Sequence, residues 1–264
     1  MSNVGSLLTA YRKSRRLSQL ELGLMANVSS RHISFIENGR SSPSRDMLLR
    51  LADVLELPLR DSNLLLTSAG FAMNYSQHSL DAREMHPVRE ALEIILHNHN
   101  PYPALVLDAC WNVVLINEAQ GKVFAALPDR SPAKNIQKSQ SQNLLKLVFD
   151  EAGFRSLICN WEELAAILLR RLKKQVLAYK RPEAEVLLRE LLAMDPPAQW
   201  EQPTLPSFEG PMATTQIRVG EKKLSLFSTL TQFGTALDVG MEELVIESYF
   251  PADSETKQFF TALM

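Results

Sequence analysis

The stretch LSQLELGLMANVSSRHISFIENGR, residues 17–40, restricts the fold more than any other part of this chain. Ser18 followed three residues later by Glu21 forms a capping box, each side chain satisfying the other's backbone N–H, so a helix is expected from Gln19. Gly23 puts no side chain where that helix must be crossed at close range. Asn27 tolerates the left-handed backbone that ends a helix, and Ser29 then caps a second helix whose Ile33 and Ile36 face inward. A small residue, a turn residue four positions on, an apolar residue, a cap and a buried residue predict two short helices crossing steeply through a tight turn.

The same style continues on either side. Apolar positions such as Leu48, Leu51, Ala52 and Leu55 recur at helical spacing, with breaks at Asn38-Gly39 and Pro58, so residues 1–70 are expected to form a compact five-helix module. Charge separates this module from the rest. Residues 1–60 carry nine Lys/Arg against five Asp/Glu, a net of +4, while the remainder of the chain carries −6. A basic head on an acidic body points to a polyanion met by the head alone.

The pattern Gln19…Gly23…Asn27-Val28-Ser29…Ile33…Glu37-Asn38-Gly39-Arg40 resembles the helix-turn-helix of the Xre/Cro family of phage-type repressors. In such a module Ser30, Arg31 and Ser34 occupy the outward face of the second helix near its N-terminus, where base edges are met in the major groove. Arg31 has the geometry to pair bidentately with a guanine, and the serines discriminate less. Phe35, on the same flank, suits either a thymine methyl or the core. Gln19 and Ser29 at helix N-termini, with Arg40 and Arg45 in or beside the following turn, suit phosphates. Arg12 and Glu37 match the positions at which the family joins its first and third helices by an ion pair, a structural role. His32 is read as packed or solvated.

Residues 71–86 lose the helical period and are expected to be a linker, with a second domain over residues 87–264. ALVLD (104–108) and NVVLI (112–116) read as a hairpin, residues 143–194 return to helical spacing, and further strands are expected at 213–219, 222–233 and 242–250. Segregated strands and helices favour an α+β arrangement, an antiparallel sheet of about five strands covered by helices. Alternation sets Ile217 opposite Gln216 and Arg218. It also sets Leu244, Ile246 and Ser248 opposite Glu243, Val245, Glu247 and Tyr249, so one sheet face is expected to be apolar and to lie under the helices. Arg170, Arg171, Lys173 and Lys174 are read as the solvated stripe of an amphipathic helix.

The order of two strands, helices and three strands resembles a PAS-like sensor domain. The segments PYPALVLDACWNVVLIN (101–117), NLLKLVFDEAGFRSLICNWEEL (143–164) and FGTALDVGMEELVIESYFPAD (233–253) are similar to the MmyB-like ligand-binding domain that follows an Xre-type helix-turn-helix in many bacterial regulators. This resemblance implies a transcription factor holding a small apolar ligand such as a long-chain fatty acid. Val106, Ile116, Trp161, Leu226 and Ile246 are the candidate lining, each of which equally suits plain core. The implied partners are double-stranded DNA bearing an inverted repeat, the apolar ligand, and a second copy of the chain in a homodimer.

Other chemistries find little support. The sequence has no glycine-rich phosphate loop, no G-x-S-x-G elbow and no H-E-x-x-H, and an enzyme is not expected. His97 and His99 are thin material for a metal site, and Cys110 with Cys159 suits inert thiols better than a redox pair. No apolar run approaches the roughly 18 residues needed to span a bilayer, and the apolar patch precedes the basic residues at the N-terminus, so no membrane contact and a reducing cytoplasm are expected. The competing reading is a constitutive DNA-binding protein whose second domain serves only dimerisation.

Overall fold

The computed structural model describes residues 3–126, 142–179, 181–202 and 212–263, so most of the expected loops at 129–142 and 195–211 lie outside the described residues. The elements are α1 (Val4–Ser14), α2 (Gln19–Met25), α3 (Ser30–Glu37), α4 (Arg45–Val54), α5 (Leu59–Ser68), α6 (His86–Asn98), β1 (Ala104–Leu107), β2 (Val113–Ile116), α7 (Glu118–Ala125), α8 (Leu144–Phe149), α9 (Trp161–Tyr179), α10 (Pro182–Leu192), β3 (Thr215–Val219), β4 (Lys222–Thr231), α11 (Val239–Glu242), β5 (Val245–Pro251) and α12 (Ser254–Leu263). They fall into two compact units. One comprises residues 1–86 with 233–242, and the other residues 87–232 with 243–264.

In the first unit, Ser18, Ser29 and Ser44 each accept the backbone N–H three residues on, fixing where α2, α3 and α4 begin. Leu8, Leu22, Ile33, Ile36, Leu48, Leu51 and Leu65 are fully buried in one cluster, each contributing about 1.5–3 kcal/mol of transfer free energy. The steep α2–α3 crossing has two visible causes. A Cβ at Gly23 would lie 2.6 Å from the Val28 carbonyl oxygen, and Asn27 turns the chain with φ of 54°. A second close approach lay hidden in the sequence: a Cβ at Gly5 would lie 2.4 Å from the Glu37 carbonyl oxygen, so α1 can meet α3 only with glycine there.

Residues 71–86, expected as a linker, belong to this unit. Buried Asn63 accepts from the N–H groups of Asn74 and Tyr75 and donates to the Tyr75 carbonyl, binding the segment to α5. Residues 233–242, expected as part of the second domain, join it as well. The Val239 N–H donates to the Ser76 carbonyl at 2.9 Å, the Asp238 carboxylate meets His78 Nδ1 at 2.8 Å, and Glu242 accepts the N–H of Leu59 at 2.8 Å. These bonds join residues far apart in sequence through backbone and polar side chains, so hydrophobic periodicity carries no trace of them.

The second unit is built on one antiparallel sheet of order β2-β1-β5-β4-β3. The expected hairpin is present, with Asp108 Oδ1 accepting the N–H groups of Cys110 and Asn112 and Trp111 in the left-handed region at φ 67°. Asn117 joins strand to helix, since its Oδ1 accepts from Ala104 on β1 and from Gln120 as the cap of α7. Leu105, Leu107 and Val113 of the sheet form a core with Leu145, Phe149, Leu169, Leu172 and Leu187 of α8, α9 and α10. An all-helical N-terminal region followed by a five-stranded antiparallel sheet with helices is the α+β arrangement the sequence implied.

Candidate functional sites

The α2–α3 pair is held by a buried polar network. Arg12 Nε meets Glu37 Oε1 at 2.7 Å and Nη2 meets Oε2 at 2.8 Å, while Nη1 donates to the Leu17 carbonyl at 2.8 Å. The two side chains are 10% and 4% exposed. Burial pushes the Glu37 carboxyl up, but hydrogen bonds from Arg12, Gln19 and Thr9, with the Arg12 charge, outweigh it and leave the group below its usual range. The bidentate contact in turn raises the Arg12 guanidinium. Gln19, expected at a phosphate, donates through Nε2 to Glu37 Oε2 at 2.7 Å, so one of its two N–H groups is committed to this network. The family resemblance marked Arg12 and Glu37 but gave no sign of the third member.

On the outer side of α3, Arg31 is exposed and its guanidinium lies 5.2 Å from the centre of the Phe35 ring. Phe35 thereby has a role missed in the sequence, as a platform that steers Arg31. Ser30 and Ser34 are half-buried, and Asn38 donates to the Ser34 carbonyl at 2.8 Å. The Ser29 hydroxyl is occupied as the cap, accepting the His32 N–H at 3.2 Å. Arg40 is exposed beyond the end of α3, and Arg45 at the start of α4 donates to Asn74 Oδ1 at 2.5 Å. Arg31 and Arg40 are thus exposed, whereas Gln19, Ser29, Ser34 and Arg45 already hold protein partners, Ser34 Oγ accepting from Asn38 at 3.3 Å.

The candidate ligand residues do not come together. Val106 pairs with Leu115 and Ile246, whereas Leu105 pairs with Ile116 and Glu247, and Leu226 with Pro251. Val106 and Ile246 consequently share one face, while Ile116 and Leu226 lie on the other. Helices α8, α9 and α10 pack on the second face. There Ile116 and Tyr249 pack against the core of α8, α9 and α10, and Leu226 packs with Phe260 of α12. Val106 and Ile246 on the opposite face are buried as well, at 0% and 3% exposure, so both faces of the central strands are covered. Period-2 alternation separates the faces, and Glu247 and Tyr249 made the face that packs on α8, α9 and α10 look like the wet one.

Trp161, at the start of α9, packs edge-on against Phe149 at 4.9 Å and lines a cleft of about 860 Å3 with Cys159, Asn160, Gln216 and Ser225. The basic stripe of α9 is largely engaged within the unit. Arg170 donates to the Trp200 and Gln202 carbonyls, Lys173 to Glu201, and Arg171 stacks over Trp111 at 4.6 Å. Cys110 and Cys159 are both free thiols. Burial, with Asp108 and Glu183, raises Cys110, and Cys159 is exposed. His99 bonds the Tyr249 carbonyl at 2.8 Å and stands edge-on to Phe250.

Two family models match the chain. Residues 8–62 match a helix-turn-helix, and residues 88–263 match the MmyB-like transcription regulator ligand binding domain. The chain belongs to the MmyB-like transcription regulators. In this family assignment the first unit carries the DNA-binding module and the second the ligand-binding domain. None of the curated proteins matches the chain. Among solved structures, the PAS domain of BvgS from Bordetella pertussis is 11% identical, with 67% of this chain and 95% of that one covered at a TM-score of 0.30. An RNA-binding light-oxygen-voltage receptor is 12% identical, with 100% of this chain and 62% of that one covered at a TM-score of 0.25. Among the described residues no helix of this MmyB-like regulator is long and apolar enough to cross a membrane.

Proposed function

We propose that this chain is a sequence-specific transcriptional regulator that binds double-stranded DNA as a homodimer and responds to an apolar ligand, a long-chain fatty acid, in its C-terminal domain. The observation that carries the DNA half is exposed Arg31 on α3 with exposed Arg40 just beyond it, the helix held in place by the buried Arg12–Glu37–Gln19 network. Arg31, Ser30 and Ser34 read bases. Arg40, Arg45, Ser29 and the remaining N–H of Gln19 meet phosphates.

The ligand half is supported by the match of residues 88–263 to a ligand-binding domain. Val106, Ile116, Trp161, Leu226 and Ile246 are its candidate contacts, with Val106 and Ile246 on the sheet face opposite Ile116 and Leu226. A ligand favouring one of two domain arrangements would change the spacing of the two reading helices, each tenfold of preference supplying about 1.4 kcal/mol. Native mass spectrometry of the full chain before and after lipid extraction tests this, with DNA affinity measured at fixed salt in both forms. A fatty-acid adduct whose removal changes DNA affinity is expected. Close packing of Leu105, Leu145, Leu169 and Leu172, all fully buried, favours the second reading, in which the domain serves dimerisation only. No adduct, and no uptake of added palmitate, would select that reading.

A further inference from the structure

The sheet face under α8, α9 and α10 holds two polar groups with complementary unmet needs. Glu247, in the middle of β5, pairs with Leu105 on one side and Leu230 on the other and is only 7% exposed. Its Oε2 is buried without a hydrogen-bond partner among the described residues. Across the core, Arg171 of α9 lies between Leu169 and Leu172, which pack in the same cluster as Leu105 and Tyr249. Its guanidinium stacks on Trp111 and, among the described residues, donates no hydrogen bond and forms no ion pair. Arg171 and Glu247 feel each other's charge, and burial displaces both from their ordinary ionisation, the arginine downward and the glutamate upward. They stop short of contact. The Ser228 and Tyr249 hydroxyls bear on the same carboxylate.

A buried carboxylate oxygen without a donor is costly, and a guanidinium within electrostatic reach would ordinarily close on it. Here Arg171 is held on the Trp111 ring, whose Nε1 is tied to Gln175 at 2.9 Å. The remaining need is for a group that donates to Glu247 and accepts from Arg171 at once. A carboxylate anion meets only half of it, because its negative charge would face Glu247.

We propose that Glu247 and Arg171 form the head-group site of the ligand-binding domain, selecting a neutral group that both donates and accepts hydrogen bonds: a carboxamide, a hydroxyl or an un-ionised carboxylic acid. This rests on the apolar-ligand reading above and names the polar end of that ligand. A fatty acid enters this site with its proton on, its O–H directed to Glu247 and its carbonyl to Arg171.

The test is competition among chains of one length at one neutral pH, using the full chain and displacement of a fluorescent long-chain probe. Hexadecanamide should bind at least about tenfold more tightly than methyl palmitate, which accepts but cannot donate. Glu247→Leu and Arg171→Met should each collapse that ratio toward one while leaving methyl palmitate uptake in place. Equal binding of amide and ester by the unaltered chain overturns the head-group assignment and leaves the apolar-ligand reading standing, as does a ratio that survives both substitutions. Failure of every probe to bind overturns both. The comparison on the unaltered chain needs no variant to fold.

Discussion

At the scale of single residues, Glu37 and Glu247 are buried carboxylates with opposite consequences. Glu37 is tied to Arg12 and Gln19, and its carboxyl sits below the usual range. Its stabilising contribution is therefore fully present above the unfolded value of about 4.3 and disappears as pH falls through the lower folded value. Glu37→Gln strands the Arg12 charge, and thermal melts should show a loss of up to about 3–5 kcal/mol with the preferred DNA sequence unchanged. An unaltered melting temperature with lost DNA affinity would mean that Glu37 belongs to the DNA contact. Glu247 behaves the other way, because burial raises it. The native state holds its proton after the unfolded state has lost it, so stability falls as pH rises above about 4.3 until the folded group ionises. Glu247→Leu should accordingly raise the melting temperature, by a margin that grows as pH rises above about 4.3 and levels off once the folded carboxyl has ionised. A margin independent of pH would place the gain in packing instead. Gly23 and Asn27 were legible in the sequence because each answers a local rule of close approach or turning, and Arg12 with Glu37 through the family resemblance alone. Gln19 in the network and Phe35 beneath Arg31 were not, since a side chain's choice between solvent and a neighbour depends on where another helix ends.

At the scale of elements, the α2–α3 crossing depends on contact between backbones. Gly23→Ala would set a methyl group 2.6 Å from the Val28 carbonyl oxygen, and an overpacking cost of about 1–3 kcal/mol is expected in denaturant melts. The segment holding α11 is the second test case. Burial pushes the Asp238 carboxyl up, and hydrogen bonds from His78, Ser76 and Gly240 more than reverse this. Asp238→Asn should speed hydrogen exchange at Val239, whose N–H reaches Ser76, while leaving α1–α3 protected. Unchanged exchange at Val239 would show that the backbone bond stands without the carboxylate. The five helices and five strands followed from periodicity and turn residues. Membership of residues 71–86 and 233–242 in the first unit did not, because Asn63 and Asp238 bind backbone across long sequence separations and leave no repeat to read. Strand alternation gave the two faces correctly, whereas the packing of α8, α9 and α10 on the face that carries Glu247 was hidden by that buried glutamate.

At the scale of the whole molecule, one α3 reaches only a few base pairs, and the proposed homodimer is expected to bind half-sites about 34 Å apart or a multiple of it. Phosphate and base contacts should separate cleanly. Arg40→Ala should weaken binding to all sequences alike and flatten the salt dependence, whereas Arg31→Ala should cost about 1–3 kcal/mol and relax a single position in each half-site. The most direct test of the central claim is selection of double-stranded DNA from a random pool by the full chain, run beside the Arg31→Ala variant. The account predicts an inverted repeat for the unaltered chain and the same repeat, degenerate at one position per half-site, for the variant. Recovery of unrelated or non-palindromic sequences, or of one identical sequence by both proteins, would contradict it.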